Sequence, residues 1–218
     1  MKKFLAFLTA AVLACCVLSV CAAEEGRLLE PYADTDMEAL GQDYTVRATC
    51  LTDGTDEKGL DLMIFGKDLY SRADVLALRP GDRIFANGAE TVVEKIEEVE
   101  GGIDINGGYL ENNDGVSLFA LPDDPDTLCS CMEDDYISST FLGEAYEPFA
   151  EQIRISVYSM DEEGNPLGGY DETVLRPEEV RPFIQRMYED SYIEFNYSVT
   201  TVTVQNGAIT EIRVDYAP

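Results

Sequence analysis

Forty-three carboxylates and no imidazole define the chemistry open to this chain. Histidine is the usual general base near neutral pH, so Ser-His-Asp and Cys-His nucleophile systems are excluded in their ordinary forms. Zinc sites built on imidazole are excluded with them. Oxygen and sulfur remain. Two short loops gather oxygen ligands of the kind that calcium takes in sets of roughly six to eight. They are Asp123-Asp124-Pro125-Asp126 and Asp161-Glu162-Glu163-Gly164-Asn165. Asp123, Asp124, Asp126, Asp161 and Glu163 are the metal-ligand candidates. Neither loop has the alternating acids and closing Glu of an EF-hand. Acids in turns ordinarily bond their own backbone and water, so the leading expectation is no cofactor, with calcium as the alternative.

Two carboxylates suffice to hydrolyse a glycoside. Glu97-Glu98, Glu100, Asp134-Asp135 and Glu178-Glu179 supply acids in pairs. Adjacent strand residues point to opposite faces, however, so sequence neighbours do not make a catalytic pair. No catalytic residue is assigned, and the chain reads as a non-enzyme, with a carboxylate- or tyrosine-dependent hydrolase as the rival. There is no tryptophan, so a stacking platform would fall to the 12 tyrosines and 9 phenylalanines. Tyr136, Tyr146, Tyr158, Tyr170, Tyr188, Tyr192 and Tyr197 crowd the second half. Tyrosine has an apolar body and a polar tip, which suits protein or glycan recognition as well as ordinary strand packing.

The start of the chain speaks about address. Met1-Lys2-Lys3 is basic, Phe4 to Val20 is apolar, and Cys21-Ala22-Ala23 precedes the first charges at Glu24-Glu25. That is the build of a bacterial export signal over residues 1–23, with small residues before the cut. The alternative route is lipid attachment at Cys15, in Val12-Leu13-Ala14-Cys15, or at Cys21. The expected location is extracellular or at the cell envelope, with membrane contact only through such an anchor. No second long apolar run follows. Export removes two lysines and no acid, taking the net charge from −28 to −30. Nucleic acid and anionic bilayers are repelled by that field. The expected partner is a protein or glycan at the cell surface.

Cys50, Cys129 and Cys131 remain after the signal. They are open to three readings: buried thiols packing as small apolar residues, a bond from Cys50 to Cys129 or Cys131, or a redox or metal C-x-C. The acidic neighbours Glu133, Asp134 and Asp135 do not lower a thiol pKa.

The elements that must position these groups are mostly strands. Residues 24–43 form a leader with little periodicity. Tyr44 to Cys50 and Leu60 to Phe65 alternate as strands. Ser71 to Leu76 gives one helical turn. Pro80-Gly81 suits a type II turn. Asn87-Gly88 is a two-residue hairpin signal between Arg83 to Ala86 and Glu90 to Ile96. Strands follow at Ile103 to Asn106 and Val116 to Leu121, with a break at Pro122 to Pro125. Leu128 to Met132, Ser139 to Ala145, Gln152 to Tyr158 and Tyr170 to Leu175 complete the run. From Pro177 to Asp190 the period changes, placing Val180, Phe183, Ile184, Met187 and Tyr188 on one helical face. Pro182 suggests that this helix starts near it. Asn206-Gly207 then turns a closing hairpin. The fold class is mainly β, α+β: an N-terminal small β-barrel or meander over 44–148, then a β-helix-β-hairpin unit over 149–218 packed on it.

Leu76-x-x-Arg79-Pro80-Gly81-Asp82-x-Ile84, the Gly101-Gly102…Asn106-Gly107-Gly108 run and Val204-Gln205-Asn206-Gly207-Ala208-Ile209-Thr210-Glu211-Ile212 complete the picture, with Lys2-Lys3 and the cysteine-bearing apolar segment. Together they resemble small exported, lipoprotein-like proteins of Gram-positive anaerobes. The resemblance implies export and a β-rich fold. Its motifs are turns and strand edges, so it carries over no catalytic or binding residue.

Overall fold

The computed structural model describes residues 26–53, 57–109, 115–130, 137–161, 166–191 and 193–216. Residues 1–23, read from sequence as an export signal, with Cys15 and Cys21, and also Cys131, Asp134-Asp135, Tyr136, Glu162, Glu163 and Tyr192, lie outside the described residues.

The protein is mainly β, with a large mixed sheet and one substantial helix. In chain order the strands are β1 (Leu28–Leu29), β2 (Tyr32–Ala33), β3 (Tyr44–Leu51), β4 (Gly59–Ser71), β5 (Arg83–Ala86), β6 (Ala89–Val92), β7 (Ile96–Val99), β8 (Gly102–Ile105), β9 (Val116–Leu121), β10 (Asp124–Ser130), β11 (Ser139–Met160), β12 (Pro166–Leu175), β13 (Thr200–Gln205) and β14 (Ala208–Val214). Helix α1 (Arg72–Leu76) follows β4, and α2 (Pro177–Ser191) follows β12.

Two long strands organise everything. β4 alternates, burying Leu60, Leu62 and Ile64 on one face. β11 pairs with β4 over Ser139–Pro148, then with β12 and β14 over the rest of its length. Its register shifts between Phe141 and Gly143 and again between Phe149 and Arg154. Bulges of this kind bend a strand and raise its twist, letting one strand serve two partners. β3 pairs with β4 and β13, and β13 pairs with β14. The pairing path β4–β3–β13–β14–β11 therefore returns to β4. All its steps are antiparallel except β11–β14.

The circuit encloses one hydrophobic cluster, with Val46, Ala48, Leu62, Ile64, Ile155, Val202 and Ile212 at its centre. α2 lays Val180 and Ile184 into it, with Phe183 and Met187 half-buried beside them. Tyr188, expected on the same face, is exposed; it sits at the margin of the apolar stripe, where its hydroxyl stays wet. The helix begins at Pro177, a position that needs no N–H. The Glu179 carboxylate accepts the Arg176 backbone N–H at 2.9 Å, one arm of a capping box. Pro182 does not delay the start. It lies within the second turn and removes one donor, that to the Glu178 carbonyl.

A second cluster holds Leu29, Tyr70, Val75, Ile84, Ile103, Ile105, Leu118 and Leu128, supplied by β1, the distal part of β4, α1 and the strands β5–β10. Asn87-Gly88 and Asn206-Gly207 take positive φ at both positions (52° and 77°, 54° and 71°), as their hairpins require.

Several expectations are corrected. The leader contributes β1, which runs parallel to β5, and β2, which pairs with β4. Two-residue strands carry no periodicity to read. Asp36 caps a short turn at Met37–Ala39. Glu90 to Ile96 divides into β6 and β7. β10 begins at Asp124, inside the expected break. The stretches at 139–145 and 152–158 are one strand, because Pro148 sits in β11 without ending it.

Candidate functional site

The inward residues of β3, β4 and β11 fill the core, so the alternate residues face outward. Register aligns the outward ones in three rows: Leu51–Asp61–Tyr146, Thr49–Met63–Glu144 and Arg47–Phe65–Phe141. The first row and Glu144 border a cleft of about 510 Å³ lined by Leu51, Asp53, Asp61, Leu62, Glu144, Ala145 and Tyr146. Asp53 and Glu144 are exposed and Asp61 is half-buried. None of the three carboxylates forms an ion pair with a described residue.

The cleft is braced from below. Arg181 on α2 donates to the Thr52 carbonyl at 2.9 Å and to the Gly59 carbonyl at 3.0 Å, tying both ends of the β3–β4 loop to the helix. The Tyr146 ring lies over Gly59; a Cβ there would meet it at 2.5 Å. Only glycine allows that approach. Beyond the cleft, Tyr197 stacks on Phe65 at 4.0 Å and 19°, and Phe141 meets Phe65 edge-on at 5.6 Å. Phe141 is 47% exposed. Carboxylates, a tyrosine and the exposed Phe141 ring thus share one surface. It accepts hydrogen bonds, attracts cations and offers flat apolar rings.

The residues expected from sequence lie elsewhere. Asp123, Asp124 and Asp126 sit exposed at the β9–β10 turn. Asp124 spends its carboxylate on its own loop, accepting from Thr127 Oγ1 at 2.7 Å and Asp126 N at 3.3 Å. Asp161 is at the β11–β12 turn, remote in sequence and fold, and Glu163 is outside the described residues. Among the described residues no group of three or more His, Cys, Asp or Glu is arranged to hold a metal. Glu97, Glu98, Glu178 and Glu179 are each paired with a base, Lys95, Arg72 or Arg176. Cys50 is a buried free thiol, and burial pushes its pKa up to about 12. It pairs with Leu62 of β4, whereas Cys129 pairs with Leu69, seven residues on. That is roughly 23 Å along a strand, so a Cys50–Cys129 bond is excluded by geometry.

Sequence reasoning missed Asp61, Glu144 and Asp53 because they come from separate strands and a loop. The usable signal was the polar side of the alternating segment Leu60 to Phe65.

A second surface cluster lies on β11, β12 and the end of β14. The Tyr170 hydroxyl donates to Asp215, and Arg213 donates to both. The Arg213 guanidinium lies 4.3 Å over the Tyr170 ring. Tyr158 touches the rings of Tyr170 and Tyr216. Desolvation first, and the Asp215 carboxylate second, raise the Tyr170 pKa above its ordinary value.

Comparison with protein-family models, curated proteins and solved structures finds no match.

Proposed function

We propose that this chain is an exported, non-enzymatic glycan-binding module of the cell envelope, with its site on the outer face of β3, β4 and β11. The observation that carries the reading is the cleft of Asp53, Asp61, Glu144 and Tyr146 beside the exposed Phe141. Carboxylates that form no ion pair with a described residue accept hydrogen bonds from sugar hydroxyls, and aromatic rings stack on sugar C–H faces. The net charge of −28 selects neutral or amino sugars over polyanions.

The fold supports the same place. Counting β3, β4, β11, β13 and β14 as first to fifth, the pairing order is 1-2-3-5-4 and back to 1, with the third and fifth parallel. α2 lies between the third and fourth. We read this circuit as a small barrel of the OB type, whose second and third strands form the surface used for oligosaccharides and oligonucleotides. That support is analogy of fold. In this reading the barrel is assembled from both halves of the chain.

The test is calorimetric titration with neutral glucan and N-acetylglucosamine oligomers, and with a polyuronate as control. The neutral oligomers bind and the polyuronate does not. Phe141→Ala and Tyr146→Ala each weaken binding about three- to tenfold, the value of one stacking contact at ~0.5–1.5 kcal/mol. Binding that neither variant changes sinks the site, and absence of saccharide binding sinks the function. Release of new reducing ends during the titration moves the reading to a carboxylate hydrolase.

A further inference from the structure

Charge is unevenly spread over this chain of −28. Residues 71–83 hold Arg72, Arg79 and Arg83 against Asp74 and Asp82, and Arg27 joins them through its ion pair with Asp74. Arg72 and Arg83 are paired with Glu98 and Glu90. Arg79 forms no ion pair with a described residue. It lies exposed on the turn between α1 and β5, and Leu76, Ala77 and Pro80 are exposed with it. Leu76 and Pro80 line a hollow of about 330 Å³ with the buried Leu78 and Val93. Glu94, Lys95 and Glu98 share that hollow, the last two ion-paired. The described residues begin at the same place. One oxygen of the Asp82 carboxylate accepts the Arg79 backbone N–H at 2.8 Å, and the other accepts the Arg27 backbone N–H at 2.9 Å. Gly26 lies so close to Gly81 that a Cβ on it would meet the Gly81 carbonyl oxygen at 1.9 Å. The point where the N-terminal segment leaves the fold is therefore clamped to the turn at 79–81.

We infer that the turn at 76–81 is a membrane-docking tip, seated on the bilayer to which a lipid on Cys15 or Cys21 anchors the chain. The length of the linker carries this. The sequence is apolar as far as Val20, so whichever cysteine bears the lipid, only residues 21–25 cross water before Gly26. Five residues reach at most ~18 Å. The lipid thus brings the bilayer to the clamped turn. Leu76, Ala77 and Pro80 offer apolar surface to the interface, and the Arg79 guanidinium reaches lipid phosphates over an apolar stem. The charge of the whole chain repels an anionic bilayer. Contact therefore depends on the anchor and falls where the local charge is balanced. Asp61 stands ten residues before Ser71 on β4, ~33 Å along a strand. Docking by the tip, just beyond Ser71, holds the proposed glycan face clear of the bilayer. The inference shares with the glycan reading only the expectation of export.

The chain has no tryptophan, so Ala77→Trp and Glu57→Trp each install a single fluorescent reporter. Both positions are exposed, one on the tip and one at the β3–β4 turn. Each full chain is produced with its own signal in a Gram-positive host, weighed by mass spectrometry, and reconstituted into phosphatidylcholine–phosphatidylglycerol vesicles with and without brominated acyl chains. The expected mass includes a diacylglycerol on Cys15 or Cys21. Bromine quenches the reporter at position 77 and leaves that at position 57 unchanged. Arg79→Glu added to the Ala77→Trp chain lowers the ratio of docked to undocked protein about fivefold, the equivalent of ~1 kcal/mol for one basic residue at an anionic surface. A protein without lipid overturns the inference. Equal quenching at the two positions, or quenching at neither, overturns it too, because no orientation is then preferred. Quenching at position 77 that Arg79→Glu leaves unchanged means tethering without docking, and overturns it as well. Saccharide titration is run on the purified parent protein without vesicles, so failure here and failure of the glycan reading are separable.

Discussion

The two hydrophobic clusters are built on opposite plans. The one around Ile84, Ile103 and Leu118 is assembled from a meander in which β5, β7 and β8 each pair with the next strand in the chain. The one around Leu62, Ile155 and Val202 joins strands drawn from residues 44–64 and 153–214, with a helix from between them. Local pairing needs only turns. Non-local pairing needs a chain that returns after a long excursion, at the cost of loop closure. The candidate glycan face falls on the non-local plan, where β3, β4 and β11 meet. Residues distant in sequence converge there, as Asp61 and Tyr146 do.

The sharpest way to break the comparison is to hollow each cluster. Leu62→Ala and Leu118→Ala, both at fully buried sites, each destabilise by about 2–5 kcal/mol in urea unfolding. Because they belong to separate clusters, the double variant loses the sum to within ~0.5 kcal/mol. A clear departure from additivity would mean that the clusters act as one core. Gly102→Ala tests the meander by backbone contact. Its Cβ would lie 2.0 Å from the Leu118 carbonyl oxygen, so β8 and β9 must separate. A loss above ~2 kcal/mol is expected; a loss near zero would show that this pairing is loose.

Gly59→Ala is the matching test on the non-local side. Its Cβ would lie 2.5 Å from the Tyr146 ring and 2.6 Å from the Glu147 carbonyl oxygen, so β4 and β11 must separate locally, and both stability and saccharide binding fall. Phe183 is half-buried, so Phe183→Ala costs less than a change at the fully covered Val180 or at Ile184, at about 1–2 kcal/mol.

Cys50 reports opening of the non-local cluster. Its folded pKa is raised, so its contribution is complete below the unfolded value and is lost as pH climbs toward about 12. Native protein at pH 8 should therefore resist alkylation at Cys50, and denaturant should release it. Rapid labelling of native protein would place the thiol outside the core. The smallest effect is at Glu179, whose pKa is lowered by its hydrogen bond to the Arg176 side chain first and backbone second. The stabilisation is present above the unfolded carboxyl value and fades as pH falls through the folded one. Glu179→Gln should flatten that acid limb in a pH series of melting temperatures; an unchanged limb would mean that the cap contributes nothing.

The same division explains what could be read in advance. Asn87-Gly88, Asn206-Gly207 and the stripe Val180, Phe183, Ile184 and Met187 are local signals, and they mark real hairpins and a real helix. The break at Pro122 to Pro125 is a real turn but a shorter one, because β10 begins at Asp124 and takes in Pro125, where the missing donor goes unneeded. The short β1 and β2 were invisible because their order comes from β5 and β4, and not from any pattern of their own. The site was hidden for a third reason. Asp61 and Tyr146 become neighbours only once β4 and β11 are in register. A strand read alone shows which residues face away from the core, but not which residues from another strand stand beside them.

Lys67 of β4 faces Ser139 of β11, and the Asp68 carboxylate accepts both Ser138 Oγ and Thr140 Oγ1 at 2.7 Å. The chain thus leaves the strand circuit after one of these residues and re-enters it beside the same residue. The described residues between them behave as a cassette clipped there, and held additionally by the leader through Leu29 and β2. A cassette with adjoining ends makes no demand on the topology of its host. It can lengthen, shorten or be exchanged without unpairing a strand of the circuit, leaving the proposed glycan face on a frame whose ornament is free to vary.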